Sequence, residues 1–163
     1  MNIAADWIVP DWPVPGRVRA LITTRHGGAS CGAYAGFNLG ERVGDDAHTV
    51  ASNRRLLRRL LPDEPIWIRQ VHGTRVVEAE PRSLGKEADA VVARTPGRVC
   101  AVLTADCLPV LLADAQGTVV GIAHAGWRGL AAGVVESVVR AMGVAPASLI
   151  AYLGPAIGAE AYE

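Results

Sequence analysis

The chain has 163 residues, half of them apolar but only one of them Phe, and sixteen Lys and Arg balance sixteen Asp and Glu. That balance argues against nucleic acid and against an anionic membrane as partners, and no apolar run reaches membrane-spanning length. The opening MNIAADWIVPDWPVPG has no basic stretch leading into a hydrophobic segment, so it is not a signal peptide and the expectation is a cytoplasmic protein.

The length suits a single domain over residues 1–163. RVRALITT (Arg17 to Thr24) alternates like a strand. RHGGASCGAYAGFNLGERVGDD then forms a long glycine-punctuated loop, a length that goes with function or mobility. Asp45 or Asp46 caps a helix that turns Val50, Leu57, Leu60 and Leu61 inward until Pro62 ends it. The polar gap at Asn53 and Arg54 places this helix on the surface, with Arg54, Arg55, Arg58 and Arg59 as a solvated face. PIWIRQV, TRVVEA, ADAVVA and RVCAVLT read as short strands, followed by a hairpin of LPVLLAD and TVVGIAH. WRGLAAGVVESVVRAMG reads as one helix with Leu130, Val134, Val138 and Met142 on a shared face, stopped by Gly143. SLIAYLG returns as a strand, and several connections are too short for helical crossovers. The fold class expected is α/β, with layered mixed β-sheets flanked by helices. The sequence closes on GPAIGAEAYE, a loop directly after a strand, so a C-terminal part of the domain is expected beyond it.

The chemistry gathers around the hairpin. A turn centred on Ala115 and Gln116 pairs Asp114 with Gly117 and, counting outward, Cys107 with His124; a bulge at Gly117 offsets that register by about one residue. Either register brings a thiol and an imidazole to the same end of adjacent strands. His72, in RQVHGT, adds a second imidazole where glycine lets the chain turn. Two imidazoles and a thiolate make a zinc set with its fourth position open to water or substrate, the mark of a catalytic site. The alternative from the residues alone is a buried cysteine beside a hydrogen-bonded histidine. Three widely spaced cysteines do not form a disulfide framework; Cys31 reads as a loop thiol and Cys100 as a core position. In HAGWRG, the backbone at Gly126 and the guanidinium of Arg128 stand at a helix start and suit a phosphate or carboxylate, as does Arg25 in TTRHGG. His26 and His48 have no visible partner and read as surface residues.

TTRHGGAS, FNLG, VGDD, QVHGT, ADAVV, TADCLPVLLAD, AHAGWRG and LGPAIG follow one another in the order found in the YfiH-like, or laccase-domain, family, which the chain resembles from Arg17 onward. Members have been described as polyphenol oxidases, purine nucleoside phosphorylases and peptidoglycan-editing factors. The resemblance implies a CNF/YfiH-like fold with zinc held by His72, Cys107 and His124, which would also be the catalytic residues. It implies phosphorolysis of adenosine, inosine, guanosine and methylthioadenosine, together with deamination of adenosine. The partners would then be a small-molecule nucleoside and phosphate, with Arg25, Gly126 and Arg128 binding substrate. After GPAIG this chain reads AEAYE, where many members carry a proline and cysteines. Three other readings stand beside this one. Cys107 with His124 as its base would make an amide hydrolase or deamidase for peptidoglycan editing. Copper in place of zinc would make a polyphenol oxidase, although four histidines and no His-x-His pair are few for a multicopper centre. Zinc could also merely brace the strands.

Overall fold

The computed structural model describes residues 6–162. It contains two compact units, one of Met1–Asp11 with Arg19–Asp63 and one of Trp12–Val18 with Glu64–Glu163.

In the first unit, the alternation of RVRALITT yields only an isolated antiparallel bridge between Ile22 and Ile8 instead of the expected strand. The long loop folds back on itself through a bridge between Ser30 and Gly36 and a 3-10 turn at Gly32–Tyr34. Helix α1 (Ala47–Arg58) starts where Asp46 accepts the Thr49 amide at 2.7 Å. It stops before Leu60 and Leu61, so only Val50 and Leu57 of the expected apolar face are buried within it.

The polar gap of that helix is not a solvated surface. Asn53 is fully buried. Its Oδ1 accepts the Ala29 amide at 3.0 Å, and its Nδ2 donates to Ser30 Oγ at 3.1 Å and to the Asn38 carbonyl at 2.9 Å. A folded-back loop leaves backbone groups that need partners, and one carboxamide supplies both a donor and an acceptor. Arg54 likewise donates to the Leu39 carbonyl at 2.9 Å and pairs with Glu41 at 2.5 Å. The helix therefore clamps the loop with the residues that read as its exposed side.

The second unit is built on a five-stranded sheet. In chain order its strands are β2 (Val76–Glu78), β3 (Ala90–Ala93), β5 (Leu108–Asp114), β6 (Val120–Ala125) and β7 (Leu149–Leu153), and in space they run β2-β3-β6-β5-β7. β2 and β3 are parallel and the other neighbours antiparallel, so the sheet is mixed as its short connections require. Strands β1 (Pro65–Ile66) and β4 (Val99–Cys100) form a separate parallel pair. Val134, Val138 and Met142 of a helix cover one face against Val92, Val110, Leu112 and Ala123. Val91 and Ala93 turn the other way, toward Ile66, Val77 and Ala88. Burial on both faces explains why β5 reads as an unbroken apolar run rather than an alternation.

The expected single helix is two: α2 (Trp127–Ala132) and α3 (Val134–Met142). Gly133 adopts φ +93°, and its amide closes α2 on the Leu130 carbonyl at 3.1 Å. A left-handed residue resets helical phase, so Leu130 no longer shares the face of Val134 and is 47 % exposed. Among the described residues, no helix is long and apolar enough to cross a membrane.

Candidate metal centre

The hairpin register differs from both simple counts. Gly117 takes φ +65°, and the Asp114 carboxylate gathers the loop by accepting the amides of Gln116, Thr118 and Val119. The resulting pairs are Leu108 with Ala125 and Pro109 with His124. Continued one step past the strand end, this register sets Cys107 opposite Gly126 instead of His124. The offset is an even one. Side chains along a strand alternate with period two, so Cys107 and His124 keep the same face and become diagonal neighbours. Gly126 leaves the space beside Cys107 and His72 clear: a Cβ there would lie 2.8 Å from Cys107 Sγ and 2.8 Å from His72 Cδ2.

His72 arrives from the loop between β1 and β2 with φ +58°, the one non-glycine residue in the left-handed region among the described residues. Asp89, completely buried just before β3, holds that loop. Its carboxylate accepts the amides of His72 at 2.9 Å and Gly73 at 2.7 Å, and the Val71 amide reaches both oxygens at 3.2 Å. The same carboxylate meets His124 Nδ1 at 2.9 Å. Gln70 ties the His72 loop to the segment leading to Cys107: its Nε2 donates to the Leu103 carbonyl and its Oε1 accepts the Leu103 amide, both at 2.7 Å.

One potential donor atom from each of His72, Cys107 and His124 lies within 4.8 Å of the others. The two imidazole rings stand edge-to-face with centroids 4.7 Å apart, and Cys107 Sγ is 3.8 Å from His72 Nε2. Zinc bonds of about 2.3 Å to sulfur and about 2.0 Å to nitrogen, at a tetrahedral angle, separate the two donors by about 3.5 Å. The donor set and its spacing therefore fit a zinc-sized cation. His124 is buried, Cys107 half-buried and His72 exposed, which leaves the cluster open on the His72 side. Burial, then the charges of Asp106 and Asp89, push the Cys107 thiol up from its ordinary value. A cation is what would stabilise its thiolate.

A sequence profile described as multi-copper polyphenol oxidoreductase laccase matches residues 19–163. The chain belongs to this laccase family. It is 52 % identical over 157 residues to a purine nucleoside phosphorylase of Pseudomonas aeruginosa, an alignment covering 96 % of this chain and 64 % of that one. It is 49 % identical over 160 residues to the purine nucleoside phosphorylase YfiH of Escherichia coli, covering 96 % and 65 %. Among solved structures, a Neisseria meningitidis protein superposes with a TM-score of 0.90 at 50 % identity, covering 96 % of this chain and 65 % of that one. YlmD of Geobacillus stearothermophilus superposes with a TM-score of 0.85 at 29 % identity, covering 99 % and 66 %. The chain thus spans just under two thirds of the length of these relatives.

The other residues singled out in this laccase-family sequence lie as follows. Arg128 and Trp127 open α2, both exposed, with the guanidinium carbon 5.1 Å from the Trp127 ring centroid. Arg25 belongs to the first unit and donates to the Ala35 carbonyl at 3.1 Å. His26, expected to be unpartnered, sits 3.2 Å from the Asp6 carboxylate, and His48 is exposed. Cys31 is an exposed loop thiol, and burial, then Glu78, push the Cys100 thiol up to about 12.

Asp89 and Gln70 were not singled out from the sequence. The motifs ADAVV and QVHGT contain them, but a carboxylate beside a buried strand and an amide before a histidine carry no spacing signal. Only the fold makes them partners of residues far away in the chain.

Proposed function

We propose that this chain carries the metal centre of a zinc-dependent purine nucleoside phosphorylase that also deaminates adenosine. The observation that carries the reading is the open His72, Cys107 and His124 cluster, in a chain 52 % and 49 % identical to proteins named purine nucleoside phosphorylase. When bound there, zinc supplies a Lewis acid that polarises an oxygen and lowers the pKa of a coordinated water.

In phosphorolysis, a phosphate oxygen bonds to the ribose anomeric carbon while the bond to the purine nitrogen breaks. The bonding pair leaves with the base, which takes up a proton, and ribose 1-phosphate remains. In deamination, water adds at the purine carbon bearing the amino group, and ammonia departs with the C–N pair. The residues of the chain contribute position to both reactions. Asp89 and Gln70 hold the ligand loops, and Gly126 keeps the approach to Cys107 and His72 free of side chains. The first amides of α2, which a helix leaves without internal acceptors, and the Arg128 guanidinium are the donors assigned to phosphate.

The hydrolase alternative is weaker on one count. Burial and the charges of Asp106 and Asp89 push up the Cys107 thiol that it needs as nucleophile, and so disfavour the thiolate. Copper is the alternative that the family description keeps alive. Metal analysis of the purified chain, with a nucleoside panel assayed with and without phosphate, tests the proposal. The expected result is one zinc per chain, phosphate-dependent release of purine, and ammonia from adenosine. Stoichiometric copper with oxidation of a phenol, or purine release indifferent to phosphate, would overturn it.

A further inference from the structure

The Asp89 carboxylate serves both imidazoles of the cluster, by different means. Toward His72 it acts on the backbone. Three successive amides, those of Val71, His72 and Gly73, converge on its two oxygens at 2.7–3.2 Å. A turn that contains a left-handed residue is one arrangement that aims successive amides at a single anion, and His72 supplies that residue with φ +58°. A left-handed conformation is unfavourable for a residue with a Cβ and persists only when its surroundings hold it. A buried charge with three N–H donors is such a hold, because each charge-assisted bond is stronger than a neutral one.

Toward His124 the carboxylate acts on the ring. An ionised carboxylate only accepts, so the 2.9 Å contact requires that His124 Nδ1 carry the proton. In the neutral ring that a metal ligand must be, the donor facing the cluster is then the bare Nε2. The backbone fixes the distance as well, since the His124 amide donates to the Asp89 carbonyl at 2.7 Å. Residue 89 is therefore bound to His124 through main chain and side chain together.

We infer that Asp89 is the positioning residue of the metal centre: one buried carboxylate sets both the turn that presents His72 and the tautomer that presents His124. The consequence for metal affinity rests on the zinc reading above; the geometry does not. Replacing the carboxylate by a carboxamide keeps shape and one acceptor, but aims an NH2 group at either an amide N–H or an imidazole N–H. Outer carboxylates of this kind alter metal affinity by 10- to 100-fold in other sites.

The test uses two readouts besides activity. Long-range 1H–15N spectra of the metal-free, 15N-labelled wild-type chain report which nitrogen of His124 carries the proton. Competition with a chromophoric chelator reports zinc affinity for the wild type and for Asp89→Asn. The expected results are a proton on His124 Nδ1 and a zinc affinity weakened roughly 10- to 100-fold in a folded Asp89→Asn chain. A bare Nδ1 in the wild type would overturn the inference whether or not the variant folds. So would a folded Asp89→Asn chain that binds zinc as the wild type does. A wild-type chain that keeps the Nδ1 proton but takes up no zinc supports the positioning and counts against the zinc reading alone.

Discussion

Cys107 stands across from Gly126, and the missing side chain at 126 is the volume into which Cys107 Sγ and the His72 ring project. A Cβ at that point would sit 2.8 Å from each of them, well inside van der Waals contact. Gly126→Val should therefore push apart two of the candidate metal ligands without replacing either residue. Zinc affinity should fall at least about tenfold, or about 1.4 kcal/mol, while the circular dichroism spectrum is retained. Titration against a chelator is the measurement. Unchanged affinity would mean that the side chains yield freely and that the glycine serves some other purpose.

The cysteines make a second prediction because the fold treats them differently. Cys107→Ala should abolish stoichiometric zinc and nucleoside turnover, whereas Cys31→Ala should leave both intact. Cys100→Ala should spare zinc as well, since Cys100 packs beside the cluster of Ile66, Val77 and Val91 rather than at the metal centre. Elemental analysis and phosphate-dependent base release check all three variants.

Alkylation across pH separates the thiols without mutation. The thiolate is the reacting form. With its thiol pushed up to about 12, Cys100 is about one part in ten thousand ionised near pH 8 and should resist iodoacetamide throughout the neutral range. Its labelling should rise with pH, since raising pH is what creates the thiolate. Exposed Cys31 should label first, and Cys107 should label faster after zinc is removed by a chelator. Peptide mapping by mass spectrometry reads the order. Labelling of Cys107 that is indifferent to zinc would count against it as a ligand.

How much of this was legible in the sequence depended on the range of the interaction. The mixed sheet, the cap at Asp46 and the apolar face of Val134, Val138 and Met142 follow from local pattern, and the structure has them. The hairpin count brought Cys107 and His124 together, and the even offset of the register left their shared face unharmed, whereas His72 was found by its motif. What the pattern could not carry was polar burial. Asn53 and Arg54 look like a helix's wet side because their partners, Ala29, Asn38 and Leu39, are far away along the chain and invisible to periodicity. Asp89 is hidden for the same reason. Gly133 illustrates a different limit, since a glycine inside a helical pattern can be tolerated or can break it, and local sequence does not decide which.

The core makes a prediction independent of function. A Cβ on Gly121, in β6, would meet Val138 Cγ1 at 2.9 Å, Val92 Cγ1 at 3.3 Å and Met142 Sδ at 3.4 Å. Gly121→Ala should overpack this contact and cost roughly 1–3 kcal/mol. Val138→Ala should leave a void and cost roughly 2 kcal/mol. Together they should cost less than their sum by roughly 1 kcal/mol, because the methyl added at 121 enters the space vacated at 138. Urea denaturation of the four proteins measures the coupling, and strict additivity would show that α3 does not rest on β6 at this point.

Arg128 tests how phosphate is held. Its guanidinium carbon lies 5.1 Å from the Trp127 ring centroid, and both side chains are exposed at the start of α2. A cation over an indole face is attracted to it by about 0.5–1 kcal/mol at an exposed site, so leaving that face to meet phosphate sacrifices part of the gain. Solvent also screens the new contact. The backbone amides of α2 give up no such contact, since their direction is set by the helix. On the proposed function, Arg128→Ala should therefore raise the phosphate KM by only about fivefold, about 1 kcal/mol, with kcat little changed. Arg128→Lys should recover little of it, because an ammonium lacks the planar fork that both stacks and binds. Initial rates at varied phosphate decide the matter. If Arg128→Ala abolishes phosphorolysis outright, the guanidinium rather than the helix start is the principal anion donor, and its position over Trp127 is a resting place from which phosphate draws it away.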